Sequence, residues 1–149
     1  MSTQLLNFAN AVATVGSETS SLTVAQLMRQ HQVGTLVVID NDDAGKVVGV
    51  VSDYDIIRKL IAEELDPAVF TASDIMSRKV IMVSQEMHAV EVLHLMNENQ
   101  VKHVLTSDNE GRLAGIVIME DLLEVVAEDL VAFAQGMSGV NEREKGHLH

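Results

Sequence analysis

Two stretches of this chain carry residue types and spacing suited to chemistry. They are Gly49-Val50-Val51-Ser52-Asp53-Tyr54-Asp55 and Gly115-Ile116-Val117-Ile118-Met119-Glu120-Asp121. Each reads as a strand turning into a helix. A glycine at such a corner lets a ligand approach the backbone closely. The Ser52 hydroxyl can donate to a phosphate, and free N–H groups of the first helical turn aim at the same place. Asp55, three residues after Ser52, lies one helical turn on, where its carboxylate can accept two hydrogen bonds from a ribose diol. The same spacing has a simpler reading, in which Ser52 caps the helix and Asp55 completes a capping box. The residues alone leave both open.

Other chemistry is poorly supported. The six histidines do not form a metal motif: His88 and His94 are six apart, whereas a helical ligand pair needs a spacing of four. His147 and His149 fall in a polar tail. His103 is the exception, because it sits at the strand end that would face a phosphate. The acidic run Glu120, Asp121, Glu124, Glu128 and Asp129 reads as a solvated helix face, apart from Asp121, whose position is shared with Asp55. Met82 and Met119 adjoin the corners, while Met28 and Met96 read as packing. Beside the carboxylates there is no nucleophile, metal cluster or phosphate-loop lysine motif, so catalysis is not expected.

Composition narrows the partners. The formal net charge is -12, from 10 basic and 22 acidic residues, which opposes any polynucleotide partner that relies on phosphate neutralisation. Aromatic residues make up only 3%, too few for a base-stacking surface. Hydrophobic residues reach 47%, so an aliphatic core is available. The absence of cysteine removes disulfides, thiolate zinc sites and cysteine nucleophiles. No apolar run has the length of a membrane span and no basic-then-apolar leader opens the chain, so the expectation is a cytoplasmic protein with no membrane partner.

The elements that position the corners come from an internal duplication. Shifted by 68 residues, Val12 falls on Val80, Leu27-Met28 on Leu95-Met96, Gln32-Val33 on Gln100-Val101, and Asp40-Asn41 on Asp108-Asn109. Beyond the turn the offset becomes 66, bringing Gly49 onto Gly115 and Asp55 onto Asp121. Each copy predicts a short strand (12–15; 80–83), an amphipathic helix, a strand (35–39; 103–106), an Asp-Asn turn with Gly45 or Gly111, a partner strand (47–51; 113–118) and a second helix (53 to about 62; 120 to about 131). Leu22, Ala25, Leu27 and Met28 are the apolar positions of the first helix. Ala89, Val90, Val92, Leu93, Leu95 and Met96 are those of its counterpart. The resulting α/β (α+β) fold has two β-α-β-β-α repeats. One repeat buries too little surface to stand alone, so the two are expected to pack sheet to sheet with pseudo-two-fold symmetry. The boundaries are a lead-in at 1–11, repeat one at 12–63, a linker at 64–79 with the single proline Pro67, repeat two at 80–134, and a frayed tail at 135–149.

The Gly-hydrophobic-x-Ser/Thr-x-x-Asp corner closing each of two tandem repeats resembles the cystathionine β-synthase (CBS) domain pair, or Bateman module, over about residues 10–132. Ser73-Asp74-Ile75-Met76 resembles the usual lead into a second CBS repeat. Val101-Lys102-His103-Val104-Leu105 resembles its characteristic strand, with Leu105 in place of proline. The resemblance implies a regulatory module that binds AMP, ADP, ATP or a related adenosine compound, has no cofactor, and forms a homodimer. It implies a main site of Ser52 and Asp55, with Val80 and Ile81 flanking the adenine and Lys102 and His103 at the phosphates, aided by Arg78 and Lys79. It implies a second site of Asp121 with Val12 and Ala13 near the base. That second site departs from the family pattern: Ile118 replaces the hydroxyl residue, and Gly34 and Thr35 stand where the first has Lys102 and His103. The main site is therefore expected to take a charged nucleotide and the second to be weak. The rival expectation is an interaction module with degenerate sites, working through dimerisation or a separate protein partner.

Overall fold

A computed structural model describes residues 12–43 and 45–147, with side chains to residue 137. The lead-in expected at 1–11 and the terminal His149 lie outside the described residues. The chain divides into two compact units, one of Ala11–Ile81 and one carrying the residues from Met82 on.

The first unit runs β1 (Thr14–Gly16), α1 (Ser21–His31), β2 (Thr35–Ile39), β3 (Val47–Ser52), α2 (Asp53–Ile56) and α3 (Ala72–Ile75), with a π-helical stretch at Ile57–Ile61 continuing α2. The second runs β4 (Met82–Ser84), α4 (Ala89–Asn99), β5 (His103–Ser107), β6 (Leu113–Ile118) and α5 (Met119–His147). Among the described residues each unit has one three-stranded sheet with the sequence-middle strand in the centre, β1-β2-β3 and β4-β5-β6. In both, the first strand is parallel to the second and the third antiparallel to it.

The duplication extends to irregular details. Val38 faces Gly49 but Ile39 faces Val47, which leaves Val48 as a bulge. Thr106 faces Gly115 and Ser107 faces Leu113, which leaves Ala114 in the same place. Both first helices end on a left-handed glutamine, Gln32 and Gln100, each with φ 55°. The next N–H then closes the helix: Val33 donates to Met28 O and Val101 to Met96 O, both at 3.0 Å. Aspartate holds both turns, and Gly111 adds a left-handed residue, φ 80°, to the second. Asp40 Oδ1 accepts from Asp42 N at 2.8 Å, and Asp108 Oδ1 accepts from Glu110 N and Arg112 N at 2.9 Å. The backbone N–H of Arg112, more than any other group, holds the Asp108 carboxyl below its usual value, with Glu110 N–H and the Arg112 charge adding to it.

Four expectations need correction. The first strands start two residues late, because Val12-Ala13 and Val80-Ile81 precede the ladders rather than joining them. The apolar face of α1 is also rotated: Ser21, Val24 and Met28 are buried, whereas Leu22 is 45% exposed. In α4 the matching positions Ala89, Val92 and Met96 are buried and Val90 lies outside.

The cause of that rotation is the segment read as a linker. Residues 64–79 are a built part of the first unit. Phe70 O accepts from Ser21 N at 2.7 Å and from Ser21 Oγ at 2.9 Å, and Pro67 O accepts from Leu22 N at 3.0 Å. These carbonyls satisfy N–H groups that a helix start leaves open. Thr71 bridges Ser20, Ser77 bridges Val50, and Ala72, Ile75 and Met76 join the core of Val15, Val24, Leu36, Val38, Val51 and Leu60. Lastly, α5 continues to His147, through most of the stretch read as a tail.

Candidate functional site

The corner at the end of β3 is closed by a reciprocal cap. Ser52 N donates to Asp55 Oδ2 at 2.9 Å, and Asp55 N donates to Ser52 Oγ at 3.2 Å. The Ser52 hydroxyl also donates to Asp55 Oδ2 at 3.1 Å. This is the capping box that the spacing allowed. Thr71 and Asp74 form a second such box at the start of α3, so the Ser/Thr-x-x-Asp spacing does helix-capping work elsewhere in this chain.

Two expectations about this corner change. The first-turn N–H groups are not free for a phosphate. Asp53 N donates to Gly34 O at 2.8 Å and Tyr54 N to Asp53 Oδ1 at 2.8 Å, while Asp55 N is taken by Ser52. Gly49 is not a clearance for a ligand either. A Cβ there would meet Met76 Sδ at 2.6 Å and the Ser77 carbonyl oxygen at 2.7 Å. The close approach it allows is that of the 76–77 segment, which pairs with Val50 through Val50 N to Ser77 O at 3.0 Å and Ser77 N to Val50 O at 2.8 Å.

Lys59 is the residue that sequence reasoning missed. Its ammonium lies 3.3 Å from Asp55 Oδ1 and donates to Ile75 O at 2.7 Å. It thereby ties the aspartate, the π-helical turn and α3 together. The signal was present as an aspartate four residues before a lysine. Asp55 thus has Oδ2 accepting twice and Oδ1 facing one cation. A carboxylate has about four lone-pair positions, so acceptor capacity remains on Oδ1. The Asp55 side chain is 17% exposed, enough to be reached.

The strand registers show how the remaining residues are placed. Thr35 is the cross-strand partner of Ser52, and His103 is the partner of Ile118. Directly opposed residues share a sheet face, so one unit ends its sheet in two hydroxyls and the other in an imidazole beside an isoleucine. Ser52, Asp55, Thr35, Val12, Ala13, Val80 and Ile81 all belong to the first unit. Val12, Ala13, Val80 and Ile81 are half-buried. Lys102, His103, Ile118 and Asp121 belong to the second unit, where Lys102 is exposed and the other three are half-buried. Its corner is tied as in the first: Met119 N donates to Lys102 O at 2.8 Å, as Asp53 N does to Gly34 O. Ile118 has no side chain with which to cap. Glu120 and Asp121 in the first turn complement the helix dipole instead. His103 and Asp121 both have interaction partners.

Among the described residues no three His, Cys, Asp or Glu side chains gather in a cluster able to hold a metal ion. Nor is any described helix long and apolar enough to cross a membrane.

The CBS domain family pattern matches this chain twice, at residues 7–62 and 72–128. Hypoxic response protein 1 of Mycobacterium tuberculosis is 33% identical over 120 residues, covering 80% of this chain and 82% of that protein. An uncharacterized protein of Methanopyrus kandleri is 32% identical over 111 residues, which cover 74% of this chain but only 56% of the longer relative. Among solved structures, a conserved protein of Pyrococcus horikoshii superposes with a TM-score of 0.73 at 34% identity, covering 85% of this chain and 93% of that one. The paired corners, the shared bulges and these matches lead to one assignment: the chain belongs to the CBS domain family and carries two CBS domains in tandem.

Proposed function

We propose that this chain is a regulatory module that binds an adenine nucleotide, with the Ser52–Asp55 corner holding the ribose. The observation that carries the reading is the Asp55 carboxylate itself. Ser52 and Lys59 fix it in place, it is partly open to solvent, and Oδ1 keeps acceptor capacity. A carboxylate oriented in advance does not lose rotamer entropy when a diol arrives. Val80 and Ile81 supply apolar contact for the base. Since the first-turn N–H groups are satisfied, the phosphates depend on side chains, and Lys102 and His103 are assigned that role on family resemblance. Asp121, with Ile118, Thr35, Val12 and Ala13, forms the weaker counterpart. Regulation follows if the nucleotide binds one arrangement of the chain, or of a homodimer, more tightly than another.

A second reading has its own support. The Ser52 hydroxyl already donates its hydrogen bond to Asp55, and the corner works as a helix cap without any ligand. On that reading the chain is an interaction module with silent corners. A thermal-shift panel of AMP, ADP, ATP, NAD and S-adenosylmethionine separates the two. A ligand at one hundred times its dissociation constant adds about 2.7 kcal/mol, which raises Tm by roughly 5–10 °C in a chain of this size. At least one of AMP, ADP and ATP is expected to do so. No shift with any of the five would favour the interaction module.

A further inference from the structure

The Lys59 ammonium is tied on two sides. It lies 3.3 Å from Asp55 Oδ1 and donates to Ile75 O at 2.7 Å. The second anchor is firm, because Ile75 is buried in the core of the first unit. Lys59 itself stands in the π-helical stretch Ile57–Ile61, where Ala62 N donates to Ile57 O at 2.8 Å, five residues back. Such turns are uncommon and recur at functional sites. The second corner has neither feature. Its helix is α-helical from Met119 on, and the residue four after Asp121 is Val125.

The Lys59 side chain is 43% exposed, and an ion pair this open to water contributes little to folding. Its effect is on direction. Ser52 N and the Ser52 hydroxyl anchor Asp55 Oδ2 at 2.9 and 3.1 Å. They hold one oxygen and leave the other to the last side-chain torsion, which is broad for a carboxylate. Lys59 narrows that torsion by holding Oδ1. A ribose diol presents two adjacent hydroxyls, and both are satisfied only when the open lone pairs point at both. A 2′-deoxyribose has one hydroxyl there and accepts a wider range of carboxylate tilts. We infer, with the Ser52–Asp55 corner as the ribose site on which this rests, that Lys59 is the positioning residue that makes the corner select ribonucleotides over their 2′-deoxy forms. It acts through Asp55, whose tilt it ties to the place of α3.

The test is isothermal titration of the full-length protein with AMP, ADP and ATP, each against its 2′-deoxy form. The native chain is compared with Lys59→Met, which keeps the stem and loses the charge, and with Lys59→Arg, which keeps the charge. Methionine and arginine are both good helix formers, and circular dichroism checks that each variant is folded at the temperature used. For the best-bound nucleotide, the native chain is expected to prefer the ribose form by at least about tenfold, the scale of a hydrogen bond to a charged acceptor. Lys59→Met is expected to cut that preference to about threefold or less, and Lys59→Arg to keep at least about fivefold. A lysine with a merely structural role would lower both affinities by one factor and leave their ratio unchanged. The native ratio in Lys59→Met, or a Lys59→Arg protein as indiscriminate as Lys59→Met, would overturn this inference alone. A native chain with no binding, or with no preference for ribose, would overturn the Ser52–Asp55 reading together with it.

Discussion

Gly49→Ala is expected to destabilise the first unit by about 2–3 kcal/mol, seen as a fall in Tm of roughly 5–10 °C. The new methyl carbon would sit 2.6 Å from Met76 Sδ and 2.7 Å from the Ser77 carbonyl oxygen. The methionine can swing away, but the carbonyl cannot. It accepts from Val50 N at 3.0 Å, and Ser77 N donates back to Val50 O at 2.8 Å, so retreat breaks both bonds. Each lost backbone bond costs about 1 kcal/mol. Gly45→Ala is the matched control. Among the described residues, its chain neighbours apart, nothing lies within 4 Å of the added carbon, so the change should stay within about 0.5 kcal/mol. Denaturant titration of both variants checks the contrast. A Gly49→Ala protein as stable as Gly45→Ala would mean that the 76–77 segment does not pack on β3.

The second large effect concerns ligand affinity. Asp55→Ala is expected to weaken binding of the preferred adenine nucleotide by about 2 kcal/mol, roughly thirtyfold, the value of hydrogen bonds to a charged acceptor. Asp121→Ala should change it by less than about threefold. The asymmetry has a local cause. Asp55 is oriented by the Ser52 N–H, the Ser52 hydroxyl and Lys59, and Ile118 can supply no hydroxyl to Asp121. Asp55→Ala also removes half of a capping box, at a cost of about 1 kcal/mol. Binding should therefore be measured well below the melting transition of the variant. Equal losses in the two variants would remove the asymmetry.

Much of the fold was legible because it is local or repeated. The edges of β2 and β6 follow from apolar runs bounded by turns, and Gln32 and Gln100 end their helices alike because the same six-residue closure recurs. What was hidden is tertiary. Ser21 is buried and Leu22 exposed because Phe70 O and Pro67 O come down on the start of α1, and no periodicity within α1 reports that. Residues 64–79 read as a linker for the same reason, since their partners lie dozens of positions away. At the corner the sequence named Ser52 and Asp55 but misjudged two neighbours. Gly49 looked like room for a ligand and makes room for Ser77. The first-turn N–H groups looked open, and Gly34 O, Asp53 and Ser52 fill them. Lys59 could have been found from its spacing to Asp55. Its second bond, to Ile75 O, depends on the π-helical turn and on where α3 packs.

On the proposed function each chain is a lopsided sensor, with one competent corner and one degenerate corner. Isothermal titration of the purified full-length chain with AMP, ADP and ATP in turn tests it most directly, because stoichiometry counts competent corners. One tight adenine-nucleotide site per chain is expected for the best of the three. Two equivalent sites per chain, or no heat of binding from any of them, would contradict it.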